Sequence, residues 1–568
     1  MLNASPLNAV PLNGVAGTAE PEYIVRGQSF VWALRVLVGG VNLTAQLTGK
    51  VTVDREEGAA GIAGFDLFIA PGVAVVPPDW KGRSVSIDYI STSQGETTEA
   101  RRYTGQISIA NWNPVTRLLT CECSDQLQQR VEGMAVLAID ALVGGYWSAD
   151  VFEEVEGRSH WDYARERLST RPVSLDCSPT GDLRVTSWYA TSPHFVFGPG
   201  TTLYQTVELQ QADLDRTTNR VEIEFNYRYS RLWQRNKEYS WKSPETGLNS
   251  GIGGFCLWRT NSHELPTKSM IEDAAAGNGE TVVNPDYYSL PLTMADPCGD
   301  GNPWVNTFDD LLLGVSWIGA RRWVQVVTET YRLSLATQAG EGEQSRIVQR
   351  AAYTVDIEDE RAEAWVDEPI LGGNSGTTDL HDDARRNAAM LVGLRAAHTE
   401  IVSAHRETTL TWQVPTSMAL GVDLVHTVEV NDQGARAVGK CRRIVDTFDL
   451  SGGEAITTIS IAVMRGGGAS DPLALPPRLG GLPEHTGQVP PSWVSLPTQL
   501  GGRLSSPAYD DTLPGFAGNY SSTTSGTEQF PRRMDAVTDE IPAGDRDELL
   551  LEAERLYRIG IPNDILEL

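Results

Sequence analysis

Residues 219–232 read NRVEIEFNYRYSRL. Val221, Ile223, Phe225, Tyr227 and Tyr229 alternate with Glu222, Glu224, Asn226 and Arg228. A period of two sets the apolar side chains on one face of a strand and the polar ones on the other. The alternation recurs at residues 83–89, where Val85, Ile87 and Tyr89 are spaced by Ser86 and Asp88. Residues 116–123 give another strand, after the turn residues Asn113 and Pro114. Short alternating runs punctuated by turns point to barrels or sandwiches.

Working outward, strands are predicted at residues 323–335, 351–357, 408–414, 424–430, 439–448 and 455–464. Helices are predicted at about 124–142, with Ser124 as N-cap, and at 160–168, with Ser159 and Asp162 in capping-box spacing. A longer helix is predicted at about 378–403, opened by Thr378 and Asp379, with Leu380, Ala384, Leu391, Leu394 and Ala397 near one face. Residues 236–320 are rich in Gly, Asn, Pro and Trp and read as a loop-rich insertion. From Gly466 the composition turns to Pro, Gly and Ser, the signature of a linker or extended tail.

The ends of the chain carry repeats. Residues 1–14, MLNASPLNAVPLNG, repeat Leu-Asn at 2, 7 and 12 and read as an extended arm. Within the tail, LPPRLGG (475–481) is echoed by LPTQLGG (496–502). Residues 545–559 read as an amphipathic helix: Asp545, Asp547 and Glu548 load its first turn and Arg555 and Arg558 its last, as the macrodipole favours. Gly560 and Pro562 end it. Its stripe of Leu549, Ala553, Leu556 and Tyr557 must pack on the chain's own body or on a partner. The expected partner-docking residues are therefore Leu475, Leu479, Leu496, Leu500, Leu549, Leu556 and Tyr557.

The 568 residues suggest three or four domains of about 150 residues each. Against 46 basic residues stand 74 acidic ones, a net charge of −28. Such a surface repels DNA phosphates and anionic lipid, but leaves room for DNA to slide past without sticking. Six scattered cysteines without a CxxC pair read as reduced cytosolic thiols. The N-terminus lacks the features of a signal peptide. The longest apolar run, 134–147, is broken by Asp140 and is too short to span a bilayer.

The motifs of chemistry fail one by one. His398 and His405 are seven apart, not the four of a helical zinc pair, and His263-Glu264 has no second histidine. Residues 296–302 lack the carboxylate spacing of a calcium loop. Gly373-Asn374-Ser375-Gly376 is not GxSxG, and Gly251-Ile252-Gly253-Gly254 opens no apolar helix. Cys121 and Cys123 face one side of a strand, but a cluster needs four gathered thiolates. No catalytic, cofactor-binding or metal-ligating residue is expected, and the chain is read as not an enzyme.

Residues 82–133 read GRSVSIDYISTSQGETTEARRYTGQISIANWNPVTRLLTCECSDQLQQRVEG. This stretch resembles the first barrel of baseplate hub proteins of tailed bacteriophages. A V-x-I-x-Y strand (Val85–Tyr89) leads to Y-T-G-x-I (Tyr103–Ile107), a W-N-P-x-T-R turn (Trp112–Arg117) and C-S-D-x-L-Q (Cys123–Gln128). Residues 159–170, 219–232 and 410–463 are also similar to parts of that family, and the arm resembles the start of several siphophage tail proteins. Residues 236–320 and 466–568 lie outside the resemblance.

The resemblance implies a mainly β (α+β) protein with two tail-tube-like β-barrels, intervening helices, a loop-rich insertion and an extended C-terminal tail. The layout it suggests is an arm (1–20), a first barrel (21–123) and a helical connecting domain (124–199). A second barrel (200–235 plus 323–465), interrupted by the insertion (236–322), is followed by a linker (466–544) and a docking helix (545–568). By the same resemblance, three copies form a ring that continues the tail tube and adapts sixfold to threefold symmetry. The implied partners are the chain itself as a homotrimer, the distal tail protein and tube above, and a fibre or other tip proteins below. Phage DNA passes without specific binding, no cofactor is implied, and the site of action is the virion. Two alternatives are a receptor- or carbohydrate-binding tail protein and a tail-associated cell-wall hydrolase.

Overall fold

A computed structural model describes residues 20–25, 31–93, 95–212, 217–243, 265–294, 296, 299, 301, 304–305, 308–340, 349–359, 374–480, 492–502, 506–519 and 529–568. The expected arm at 1–19, the motifs at 251–254 and 263–264, and Gly373 lie outside these residues. The chain is mainly β, in several sheets.

The largest sheet has fifteen strands around two separate cores. Strands Val31–Val38, Leu47–Glu56, Ile62–Phe68, Ser84–Ser93, Glu96–Asn113 and Leu118–Ser124 surround the first. Val85, Ile87, Tyr89, Tyr103 and Ile107 all point into it, as their alternation predicts. Strands Phe195–Phe197, Thr409–Pro415, Thr427–Asp432, Ala435–Asp449 and Glu454–Ala462 build the second. One long strand, Ala435–Asp449, joins the two. Its first half pairs with Thr427–Asp432, and its second half pairs with Leu47–Glu56 from the other core.

Buried ion pairs fasten this seam. Arg102 makes a two-pronged pair with Asp446 at 2.8 and 2.9 Å, and Thr457 donates to the same carboxylate at 2.6 Å. Asp423 takes Arg55 at 2.6 Å and Arg184 at 2.5 Å. Burial alone would raise the Asp423 pKa, but Arg184 and Arg55 outweigh it and hold the carboxyl well below the usual range.

A second sheet of seven strands is built on a hairpin, Thr218–Lys242 against Leu312–Ala336. Each strand has 25 residues, a length of about 80 Å. The second barrel expected over 200–235 plus 323–465 is not confirmed: residues 218–242 and 312–336 form their own sheet, while the closing strands at 409–462 join the sheet of the first core. No closed barrel is found among the described residues. The long helix Asp383–Ala404 lies on one half of the hairpin, where Met390, Leu394, Ala397 and Ile401 pack against Val221, Ile223, Phe225 and Leu333. Its N-cap is Asp382, accepting from Arg385 N at 2.9 Å, and not Thr378 or Asp379, which belong to a preceding strand.

The predicted helix at 160–168 is observed as His160–Ser169, with Ser159 accepting from Asp162 N at 3.3 Å. The one predicted at 124–142 is two short helices, Leu127–Glu132 and Val136–Val143, and Ser124 instead ends a strand.

The insertion and the tail fold together. Tyr239, Trp241, Val315 and Trp317 at the far half of the hairpin share one core with Ile271, Leu312, Leu496, Leu500, Phe516 and Met534. Leu496 and Leu500 are thus 5% and 4% exposed. Leu475 and Leu479 pack on the hairpin core near the long helix. Leu475, Leu479, Leu496 and Leu500, expected as partner-docking residues, thus pack against the chain's own hydrophobic cores.

The expected helix at 545–559 is also corrected. Leu549–Arg558 is a strand that pairs in parallel with Val327–Ala336. Intrinsic helix preference amounts to tenths of a kcal/mol per residue. Ten residues of open hairpin edge, with backbone groups that must be satisfied, outweigh it. Leu549, Leu551, Ala553 and Tyr557 now face the hairpin core, while Leu550 and Leu556 face outward.

Strand and helix assign Leu556 differently, and that is measurable. In the strand, Tyr557 is 0% and Leu556 44% exposed. Tyr557→Ala is expected to cost about 3 kcal/mol, and Leu556→Ala to stay within about 0.5 kcal/mol, by urea unfolding of the purified chain. Equal losses for both would restore the helical stripe.

Candidate binding cavity on the hairpin

The hairpin's core-facing side changes character midway. Val221 to Tyr229 are apolar or aromatic at every second position. The next four are Arg231, Trp233, Arg235 and Lys237, before Tyr239 and Trp241 resume the apolar pattern. The facing strand mirrors this with Trp317, Gly319, Arg321 and Trp323. Since the pairing runs from Arg220↔Ala336 to Lys242↔Gly314 without a register shift, all these side chains share one face.

The interruption surrounds a cavity of about 460 Å³. Trp233 and Trp323 sit opposite each other and stack, ring centres 5.9 Å apart and planes within 5°. The Arg235 guanidinium lies 5.8 and 5.9 Å from the two ring centres. Both indole N–H groups are engaged, Trp233 to Gln325 Oε1 at 2.9 Å and Trp323 to the Asp545 carbonyl at 2.8 Å.

The roof comes from the C-terminal segment. The Val537 carbonyl accepts from Lys237 Nζ and from the Tyr239 hydroxyl, each at 3.0 Å. Arg321 donates to the Asp539 carbonyl at 2.9 Å, and Lys237 pairs with the Asp539 carboxylate at 3.0 Å. Gln325 donates to the carbonyls of Gly544 and Asp547 at 2.8 Å. Arg235 pairs with Asp545.

One wall is a gap in strand pairing. On the open side of Thr218–Lys242, strand Gly376–Leu380 pairs as far as Gln234, and strand Ser492–Ser495 starts at Lys237. Between them Asn236 N donates to Ser375 Oγ at 2.9 Å, and its side-chain amide to the Asn374 carbonyl at 3.0 Å. Ser375, from the motif rejected as a nucleophile turn, therefore serves as a lining hydroxyl. On the other side, Glu280 is 5% exposed and accepts from the Tyr239 hydroxyl at 3.0 Å. Its carboxylate lies where a side chain at position 319 would stand, so Gly319 leaves room for it. Burial pushes the Glu280 pKa up, against the lowering influence of Thr538, Tyr239, Lys237 and Arg321.

None of the seven expected docking residues lines this cavity, and its residues were not singled out from sequence. The signal that marks them is the run Arg231, Trp233, Arg235, Lys237 in a strand whose other alternate positions, Val221 to Tyr229 and Tyr239 to Trp241, are apolar or aromatic. Elsewhere, Cys121 and Cys123 do face one side, buried in the first core, and burial pushes the Cys121 thiol up to about 12. Among the described residues, no group of three or more His, Cys, Asp or Glu is placed to hold a metal ion, and no helix is long and apolar enough to cross a membrane.

A raised Glu280 pKa has a sign that can be tested. The folded chain takes up this proton at higher pH than the unfolded chain, so wild-type stability rises as pH falls through the folded-state pKa. Above it, the buried carboxylate is a cost. Glu280→Gln is expected to raise the urea midpoint at pH 8 and to lose that advantage in acid. A lower midpoint for the variant at pH 8 would mean that Lys237 and Arg321 more than offset the burial.

No protein-family model and no curated protein matches this sequence. Similar solved structures include a tail protein from Neisseria meningitidis MC58, 12% identical, covering 76% of this chain and 96% of that one, with a TM-score of 0.36. The 43 kDa tail protein of prophage MuSo2 from Shewanella oneidensis is 12% identical over 76% of this chain and 98% of its own, also at 0.36. A prophage tail protein from Listeria monocytogenes EGD-e is 6% identical over 75% and 94%, at 0.28. The solved structures similar to this chain thus include several tail proteins, two of them described as prophage proteins.

Proposed function

We propose that this chain is a structural, non-enzymatic component of a phage tail tip, the baseplate hub. The observation that carries this reading is the fold of residues 82–133, the stretch that resembles the family's first barrel. Val85, Ile87 and Tyr89 share one core with Tyr103 and Ile107 and with Cys121 and Cys123. Within the W-N-P-x-T-R segment, Asn113 Oδ1 accepts from Val115 N at 2.9 Å and Thr116 N at 3.2 Å, closing the turn. At the C-S-D step the strand ends and Asp125 accepts from Leu127 N at 3.0 Å, opening a helix. Each step of the family pattern thus has a physical counterpart.

The two cores of the large sheet support a reading as two tube-like units per chain, joined along Ala435–Asp449. In that reading three chains make a ring of six units beneath the tail tube and the distal tail protein, matching sixfold to threefold symmetry. Other tip proteins attach below, and the virion is the site of action. Closing such a ring covers sheet edges that otherwise invite unwanted pairing. A net charge of −28 suits a passage that DNA crosses without sticking.

Sedimentation equilibrium of the purified chain, alone and mixed with tail extract, tests the ring. The expected mass is three times 61.9 kDa in at least one condition. A single-chain mass in both overturns the hub.

A further inference from the structure

We propose that the mid-hairpin cavity binds a neutral saccharide, one pyranose ring lying against the Trp233–Trp323 pair. The place of the cavity is the first argument. It lies on one continuous face between the apolar cluster of Tyr229 and Val327 and that of Tyr239 and Trp317, where Val, Leu or Phe on both strands would have joined the two. Arg235 is half exposed, while Lys237 and Arg321 are partly buried, and withdrawing charge from water is costly unless it is paired. The chain pairs each of them with the C-terminal segment and still leaves about 460 Å³ open, within the roughly 300–1,000 Å³ of small-molecule sites.

Charge decides the class of ligand. Of the lining residues, Arg235, Lys237 and Arg321 carry three positive charges, and Glu280, Asp539 and Glu540 three negative ones. In a chain of net charge −28, the lining is balanced. Each of the three cations already has an acidic or carbonyl partner. A phosphate or a uronate would have to compete with those partners and meet the carboxylates, so the site disfavours anions.

The indoles decide the shape. With both N–H groups engaged inside the protein, Trp233 and Trp323 offer a ligand only apolar ring surface. Around them stand hydroxyl-bearing residues, Ser375, Thr377, Ser492 and Thr538. Thr377 Oγ1 is buried without a hydrogen-bond partner among the described residues, a condition that costs about 1–3 kcal/mol when left unmet. A ligand that is uncharged, has one flat C–H face and carries hydroxyls on its rim answers all of these demands, and a pyranose is such a molecule.

The test is saturation-transfer difference NMR on the full chain, with glucose, galactose, N-acetylglucosamine and rhamnose offered singly, and glucuronate and inorganic phosphate as anionic contrasts. Saturation transfer to the C–H protons of at least one neutral sugar is expected. Trp323→Leu should abolish it, and Thr377→Val, which keeps a β-branched side chain in its strand, should weaken affinity about tenfold, the size of one lost hydrogen bond. No transfer to any neutral sugar, preference for the anions, or wild-type binding by the folded Thr377→Val chain would overturn the proposal. Binding is read on the chain alone, so the result holds whether or not three chains form a ring.

Discussion

The pairing of Thr218–Lys242 with Leu312–Ala336 is the constraint on which the rest of this structure hangs. A two-stranded ribbon is marginal in water even when short, and one of 25 residues a side exposes two long edges and two faces. Several other parts of the chain meet those needs. The helix Asp383–Ala404 covers the face at one half, and the core of Ile271, Leu500 and Phe516 covers the other. Strands Gln349–Asp359, Gly376–Leu380 and Ser492–Ser495 line one edge, while Glu280–Ser289 and Leu549–Arg558 line the opposite one. Because no bulge breaks the central register, faces stay in phase along the whole length. That phase lets a four-residue change of side-chain chemistry open a cavity at one defined height.

The large sheet holds together on a different principle. Its two cores meet along a single strand, and the seam is ionic as well as hydrogen-bonded in the backbone. The Arg102–Asp446 pair is almost fully withdrawn from water, with side chains 2% and 0% exposed. Such a pair adds little net stability over well-packed apolar groups, but removing one partner strands a buried charge at a cost of several kcal/mol. Its effect is therefore on relative placement: the Arg102 strand and the Asp446 strand meet in one arrangement, with the Thr457 hydroxyl and the Leu420 carbonyl completing the set.

Much of the first core was legible in sequence because its strands are half-buried, and half-burial writes itself as alternation at Val85, Ile87 and Tyr89. The helix at His160 was legible because its cap is local, Ser159 answering Asp162 three residues on. What failed shares one cause. Residues 236–320 and 466–544 looked unstructured because each holds only part of a core. Trp241 meets Phe516 edge to face and donates to Thr498 at 2.9 Å, partners more than 250 residues away. Neither segment shows enough apolar periodicity alone. The C-terminal strand failed for a related reason: Leu549–Arg558 is composed of good helix formers, and only the hairpin edge beside it makes extension the better state.

The same long-range logic bears on the cavity. Its floor, Trp233, Trp323 and Arg235, belongs to the hairpin, and its roof, Val537 to Asp545, to a segment over 200 residues later. The roof is held chiefly by its own backbone carbonyls, accepting from Lys237, Tyr239, Arg321, Trp323 and Gln325. Backbone acceptors do not depend on which side chains the roof carries. Substitutions along 537–547 can therefore alter what faces the cavity while the segment stays anchored, whereas the floor is fixed by the cross-strand pair beneath it. A site built in this way separates the residues that set its geometry from those free to set its selectivity.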